Sequence, residues 1–76
     1  MPTPDNPSAR STLARKLKRL RRACGMSQQE LADASKLGRT LIAEIESGSA
    51  NPTLESLERL ASALNTDIVG LLSPAA

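Results

Sequence analysis

Basic side chains are concentrated in the first third of the chain, where they could bind an anionic partner through ionic contacts. Residues 1–26 carry seven basic residues against one acidic residue, a net charge of +6, whereas residues 27–76 carry three basic and seven acidic residues, a net charge of −4. The seven are Arg10, Arg15, Lys16, Lys18, Arg19, Arg21 and Arg22. This asymmetry favours a polyanion partner on one side of the folded chain. The alternative is a helix whose basic residues are merely solvated.

The sequence offers few residues for metal binding, disulfide formation or catalysis. The chain has no His and a single cysteine, Cys24, which argues against a zinc site and an internal disulfide. It has no paired-carboxylate site, no phosphate-cradling glycine loop and too little volume for a cleft. We therefore predict no enzyme, metal or cofactor. A lone cysteine, no apolar run of about 18 residues and no secretion signal predict a cytoplasmic protein without a membrane partner.

Two short helical patterns separated by a turn lie at the centre of the chain. Ser27 and Glu30 have the spacing of a capping box, which predicts a helix over about residues 28–35. A second helix is predicted over about residues 39–47, with Ile42 and Ile45 as its buried stripe and Gly48 at its end. Two short helices in this arrangement predict a helix-turn-helix.

Three further helices are predicted around this unit. Ser11 or Thr12 is expected to begin the first helix, whose apolar stripe is Leu13, Leu17, Leu20 and Cys24, with the Cys24 thiol packed in the core. Thr53 is expected to cap a fourth helix, and Asp67 a fifth over residues 68–72. The buried face of the fourth helix is predicted to contain Leu54, Leu57, Leu60, Ala61 and Leu64. The fold class is therefore all-α, a compact five-helix domain over residues 10–73, with a flexible arm at 1–9 and a tail at 74–76.

Three blocks of this sequence, LKRLRRACGMSQQELA, IESG and NPTLESLERLASAL leading into DIVGLL, resemble the Cro/C1-type (XRE-like) helix-turn-helix proteins of phage and bacterial repressors. The resemblance covers about residues 13–72 and implies a fold of the lambda-repressor type. In this family the third helix lies in the DNA major groove, and residues near its N-terminus read base edges. The resemblance thus implies Arg39, Thr40 and Glu44 as base-contacting residues, with Ala43 close to the groove. Glu44 has the alternative of an internal salt bridge with Arg39 or another nearby base.

The resemblance also implies contacts to the DNA backbone and one structural ion pair. The implied backbone positions are Gln28, Gln29, Gly38, Asn51, Arg10 and Arg15. Gln28 corresponds to a glutamine that also braces the recognition helix, and Arg21 and Glu46 correspond to a base and an acid that tie the first helix to the third. Two positions depart from the family pattern: Lys36 replaces a glycine in the turn, and Gly38 replaces a capping Ser or Thr. We expect the turn to change shape, with Gly38 absorbing part of the change.

Three functions are compatible with this sequence. The first is a transcriptional regulator of repressor type that binds a palindromic double-stranded DNA operator as a homodimer. Its dimer interface is predicted at Ile68, Val69, Leu71 and Leu72, although these residues could instead close the core. The second is an antitoxin-type module that binds a toxin protein and represses its own operon. The third is a DNA-targeting domain of a longer protein.

Overall fold

The computed structural model describes residues 8–73, which form five helices joined by short turns. These are α1 (Ser8–Ala23), α2 (Gln28–Ser35), α3 (Arg39–Glu46), α4 (Leu54–Ala63) and α5 (Ile68–Leu72). α1 packs against α3 and α5, α2 packs against α3 and α4, and α4 packs against α5. The prediction of an all-α five-helix fold is therefore confirmed. The predicted tail at 74–76 and most of the arm predicted at 1–9 lie outside the described residues.

Aliphatic side chains from all five helices meet in one core. The fully buried ones are Leu17, Leu31, Ile42, Ile45, Leu60 and Leu71. Ile42 and Ile45 hold α3 against this core, as their spacing predicts. The buried side of α3 is thereby fixed, and its opposite side is left to solvent.

Side-chain caps begin three of the helices, and a left-handed residue follows four of them. The amide of Glu30 donates to the Ser27 hydroxyl (3.0 Å), and the Ser27 amide donates to the Glu30 carboxylate (2.8 Å), which confirms the capping box. Thr53 and Asp67 cap α4 and α5 in a similar way. The left-handed residues are Gly25, Lys36, Gly48 and Asn65. At each of them the two backbone hydrogen bonds of a Schellman turn are formed, one donated by the left-handed residue and one by the residue after it.

Three predictions about the ends and faces of helices are wrong. α1 begins at Ser8, so Ser11 and Thr12 lie inside the helix, because Ala9 and Arg10 are good helix formers and extend it backward. Cys24 is exposed, because α1 ends at Ala23 and the chain reverses at Gly25, where φ is +71°.

The third wrong prediction concerns Leu54, which is 69% exposed and does not belong to the buried face of α4. It is the first residue of the helix, where the side chain extends beyond the edge of the core. The other four residues predicted for this face, Leu57, Leu60, Ala61 and Leu64, are buried.

The turn between α2 and α3 keeps its left-handed residue despite the missing glycine. Lys36 adopts φ 59° and ψ 37°, and Gly38 is extended at φ −74° and ψ 145°. The expectation that Gly38 would absorb the change is therefore wrong. Two hydrogen bonds hold the turn in this shape: the Lys36 amide donates to the Asp33 carbonyl, and the Leu37 amide donates to the Ala32 carbonyl.

Lys36→Gly is expected to raise the free energy of unfolding by about 1 kcal/mol, because glycine adopts the left-handed conformation without the steric cost of a Cβ. Urea denaturation followed by circular dichroism measures this change. Lys36→Ala is the control, since it removes the same charge and keeps the Cβ. Equal stabilities of the glycine and alanine variants would contradict the steric explanation.

Candidate nucleic-acid interface

The side of α3 that faces away from the core presents the predicted base-contacting residues together. Arg39, Thr40 and Glu44 are exposed, and Ala43 is half-buried between them. Neither Arg39 nor Glu44 takes part in an ion pair between described residues, so the internal salt bridge considered for Glu44 is not formed there. Arg39 therefore offers all of its guanidinium donors, and Glu44 both carboxylate oxygens, to an external partner.

A buried ion pair fixes the other end of α3. The Arg21 Nε and Nη2 atoms donate to Glu46 Oε2 and Oε1 at 2.6 and 3.0 Å, and the two side chains are 11% and 3% exposed. Arg21 Nη1 also donates to the carbonyl of Met26 at 2.8 Å, and the Gln28 amide donates to Glu46 Oε1 at 3.2 Å. This network joins α1, the start of α2 and the last residue of α3. It fixes the orientation of α3 relative to the rest of the fold.

The ionisation of Glu46 is shifted by its surroundings. Burial by itself would raise the pKa of this carboxyl, but the hydrogen bonds from Arg21 and Gln28 and the charges of Arg21 and Lys18 outweigh it and lower the pKa. The hydrogen bond to Glu46 in turn raises the pKa of the Arg21 guanidinium, despite its partial desolvation. Both groups are therefore charged near neutral pH.

The stability contributed by Glu46 is expected to disappear in acid. Because its folded-state pKa lies below the ordinary value of 4.5, the unfolded chain binds the proton more readily, so the contribution is complete above about pH 4.5 and is lost as the pH falls through the folded-state pKa. Thermal melting between pH 7 and pH 3 measures this. Glu46→Gln should show a shallower acid dependence than the parent, and parallel curves would contradict the assignment.

The predicted backbone-contacting residues lie in four separate places. Gln28 is half-buried at the start of α2, beside exposed Gln29, whose amide donates to Asp33 at 3.0 Å. Gly38 is exposed at the start of α3, and its Cβ position is open, so the Ser or Thr of the family pattern would fit there. Arg10 and Asn51 line one concavity between α1 and the loop before α4.

Arg15 lies apart from Arg10, in a concavity between α1 and the end of α3. Its lining residues are Ala14, Arg15, Lys18, Arg19, Arg22 and Glu46. Sequence reasoning did not single out Lys18, Arg19 and Arg22 as a site, although their helical spacing with Arg15 was a usable signal.

The predicted dimer interface needs one correction. Leu71 is fully buried in the core, because α5 turns this side chain inward against α1 and α4, and it is not available to a partner. Ile68 is half-buried, Leu72 is partly exposed and Val69 is 75% exposed. Ile68 and Val69 line a concavity with residues of α4 and the α4–α5 turn. The accessible apolar surface of α5 therefore consists of Ile68, Val69 and Leu72.

Residues 8–73 contain neither a candidate metal site nor a candidate membrane span. No group of three or more His, Cys, Asp or Glu side chains could hold a metal ion there. No helix in this part of the chain is long and apolar enough to cross a membrane.

Comparison with known families identifies the class of this fold. The family HTH_3, described as helix-turn-helix, matches residues 17–71. The chain belongs to this helix-turn-helix family. The match contains the capping box, the turn at Lys36 and the whole of α3, so the Cro/C1-type resemblance is confirmed and the chain is a DNA-binding helix-turn-helix protein.

Individual relatives of this helix-turn-helix protein are regulators. The control protein C.SmaI of Serratia marcescens is 41% identical over 61 residues, which cover 80% of this chain and 73% of that protein. A hypothetical transcription factor, NHTF from Neisseria, has a TM-score of 0.83 at 35% identity, over 87% of this chain and 76% of its own. The restriction-modification controller protein C.AhdI from Aeromonas hydrophila has a TM-score of 0.79 at 34% identity, over 82% and 94% of the two chains.

The same helix-turn-helix fold also occurs within a larger protein. Hydroxypropylphosphonic acid epoxidase from S. wedmorenis has a TM-score of 0.79 at 31% identity over 91% of this chain, but the matched part is 37% of the epoxidase.

Proposed function

We propose that this protein is a sequence-specific transcriptional regulator of repressor type, which binds a palindromic operator as a homodimer. The observation that carries the proposal is the exposed Arg39 at the first position of α3, which forms no ion pair among the described residues. The helix itself is held against the core by Ile42 and Ile45 and tied to α1 through Glu46. An arginine at this place can donate two hydrogen bonds to guanine O6 and N7. The regulators among its relatives support the same class of function.

In this proposal α3 lies in the major groove. Arg39, Thr40 and Glu44 contact base edges, where Thr40 can meet a thymine methyl and Glu44 can accept from a cytosine amino group. Ala43 lies close to the groove floor. The proposed backbone contacts are Gln28, Gln29, Gly38, Asn51, Arg10 and Arg15. These contacts set the position of α3 without reading sequence.

Selection of bound duplexes from a random pool tests the proposal. Enrichment of an inverted repeat, with two half-sites about one DNA turn apart, is the expected result. Binding that falls steeply with salt and enriches no motif would mean that the protein recognises only the phosphate backbone. That result would overturn the proposal of sequence-specific regulation.

The apolar surface of α5 is proposed as the dimer interface. Val69→Asp should shift the protein toward monomer in sedimentation equilibrium without DNA, because a carboxylate would be buried without a partner. Leu54→Asp is the matched control, since Leu54 is 69% exposed and Val69 is 75% exposed. A parent protein that is monomeric at high concentration, or equal effects of the two variants, would contradict this interface.

Two other functions share the fold. The epoxidase comparison favours the alternative of a DNA-targeting domain, because it places a similar helix-turn-helix unit within an enzyme chain. The antitoxin alternative requires a toxin partner, and stoichiometric co-purification of a second protein would support it. We propose no catalytic activity for these 76 residues. The proposed location of the protein is the cytoplasm.

A further inference from the structure

Four basic side chains of α1 form one continuous surface, which we call the basic face of α1. Arg15, Lys18, Arg19 and Arg22 are spaced at i, i+3, i+4 and i+7, so they lie on one side of the helix. They line a concavity with Ala14 and with Glu46, the last residue of α3. Arg15, Arg19 and Arg22 are exposed, and Lys18 is half-buried.

Among the described residues these four bases form no ion pair, although the charge of Lys18 acts on Glu46. Residues 8–29 contain no acidic residue, so α1 has no carboxylate of its own to pair with these bases. The one carboxylate in the concavity, Glu46, already accepts hydrogen bonds from Arg21 and Gln28. Like charges three and four residues apart destabilise a helix. A bound polyanion would relieve this repulsion.

The position of the basic face relative to α3 indicates which polyanion it meets. The proposed base-contacting residue Arg39 begins α3 and Glu46 ends it, and a helix of eight residues is about 12 Å long. A helix that lies in the major groove, which is about 12 Å wide, has a phosphate strand on each side, so the basic face beside the end of α3 lies within reach of one of these strands. The basic face extends about 10 Å from Arg15 to Arg22, which is long enough to meet more than one phosphate of a strand.

We propose that the basic face of α1 binds the phosphates of the DNA strand that borders the major groove at the C-terminal end of α3. Lys18, Arg19 and Arg22 are thereby assigned as backbone-contacting residues next to Arg15. The inference rests on the proposed placement of α3 in the groove. Because phosphates carry no base identity, this face adds affinity and salt dependence but no sequence preference.

The experiment compares three single variants of the full chain, each of which removes one positive charge: Lys18→Gln, Arg22→Gln and, as control, Arg59→Gln. Arg59 lies on α4, paired with Glu55 at 2.7 Å. The affinity for an operator duplex and for a scrambled duplex is measured by fluorescence anisotropy at several salt concentrations. Lys18→Gln and Arg22→Gln should each reduce the slope of log K against log salt by about 0.9 per protomer.

Both duplexes should lose affinity by the same factor in these two variants, and the motif selected from a random pool should not change. Melting curves of both variants are recorded beside the binding data, and a loss of binding by a variant that is still folded at the assay temperature does not come from unfolding.

The outcomes separate the inference from the proposed function. Slopes of Lys18→Gln and Arg22→Gln equal to that of Arg59→Gln would overturn the inference, even if the parent selects an inverted repeat. Reduced slopes in a protein that selects no motif would support the basic face and overturn sequence-specific regulation. A parent that binds no duplex would overturn both.

Discussion

Arg21→Met is expected to lower the free energy of unfolding by about 3 kcal/mol, because it leaves the Glu46 carboxylate buried with one remaining hydrogen bond, from Gln28. Urea denaturation at pH 7 measures the change. For a domain whose total stability is about 5–15 kcal/mol, this loss is a large fraction. The core contains no aromatic residue, so we expect the total stability of the domain to be modest and the loss to be large in proportion.

The double variant Arg21→Met/Glu46→Leu is the control for this prediction. Replacing both partners of a buried ion pair by apolar residues of similar size is often neutral or stabilising, so the double variant should recover most of the loss. If it remains as unstable as Arg21→Met alone, the loss comes from packing of the arginine stem and its bond to Met26 rather than from the unpaired carboxylate.

The ion pair also connects stability with the proposed DNA contacts. Gln28 is both a proposed backbone-contacting residue and a donor to Glu46, and Glu46 ends the helix that Arg39 begins. A change in Arg21 could therefore weaken DNA binding by displacing α3, without removing any contact to DNA. Binding measurements on variants of this network need a parallel melting curve.

Much of this fold can be predicted because its signals are local. The capping box predicts the start of α2 from two residues, and Asp67 and Ser73 bracket α5 at the observed Ile68–Leu72. The left-handed residues at Gly25 and Gly48 follow from glycine's conformational freedom. Leucine spacing predicts the buried face of α4 from Leu57 onward.

The errors occur at the turns that end helices and on α5, where the apolar pattern alone does not show how the chain continues or which neighbouring helix it meets. Helical spacing places Cys24 on the stripe of α1, but the Schellman turn at Gly25 ends the helix one residue earlier. The apolar run of α5 does not show which side chains face the core, and packing against α1 and α4 buries Leu71 and exposes Val69. At Lys36, the hydrogen bonds of the turn outweigh the steric cost of the left-handed conformation, which is about 1 kcal/mol.

The candidate site could be predicted in part. The residues of α3 were predicted through the family resemblance, and the structure presents them on one exposed side. The basic face of α1 was evident as a charge excess, but the sequence alone does not show that it adjoins the end of α3. That relation depends on the packing of α1 against α3, which joins residues about 25 positions apart along the chain.

Arg39→Ala is expected to remove the guanine preference at one position of each half-site. A bidentate contact from arginine to guanine contributes about 1–3 kcal/mol of discrimination, so a dimer on two half-sites should lose about 2–6 kcal/mol of operator affinity. Selection from a random pool detects the lost preference, and titration of the parent operator measures the affinity. Stability should hardly change, because Arg39 is exposed and has no ion-pair partner among the described residues.

Arg39→Lys separates base recognition from charge in this prediction. Lysine keeps the positive charge but lacks the planar fork that matches guanine O6 and N7. If Arg39 reads a base, Arg39→Lys should resemble Arg39→Ala in the selected motif and resemble the parent in the salt dependence of binding. If Arg39 contacts phosphate instead, Arg39→Lys should keep the motif and most of the affinity. Recognition would then have to come from Thr40 and Glu44, because they are the other exposed members of the proposed base-contacting set.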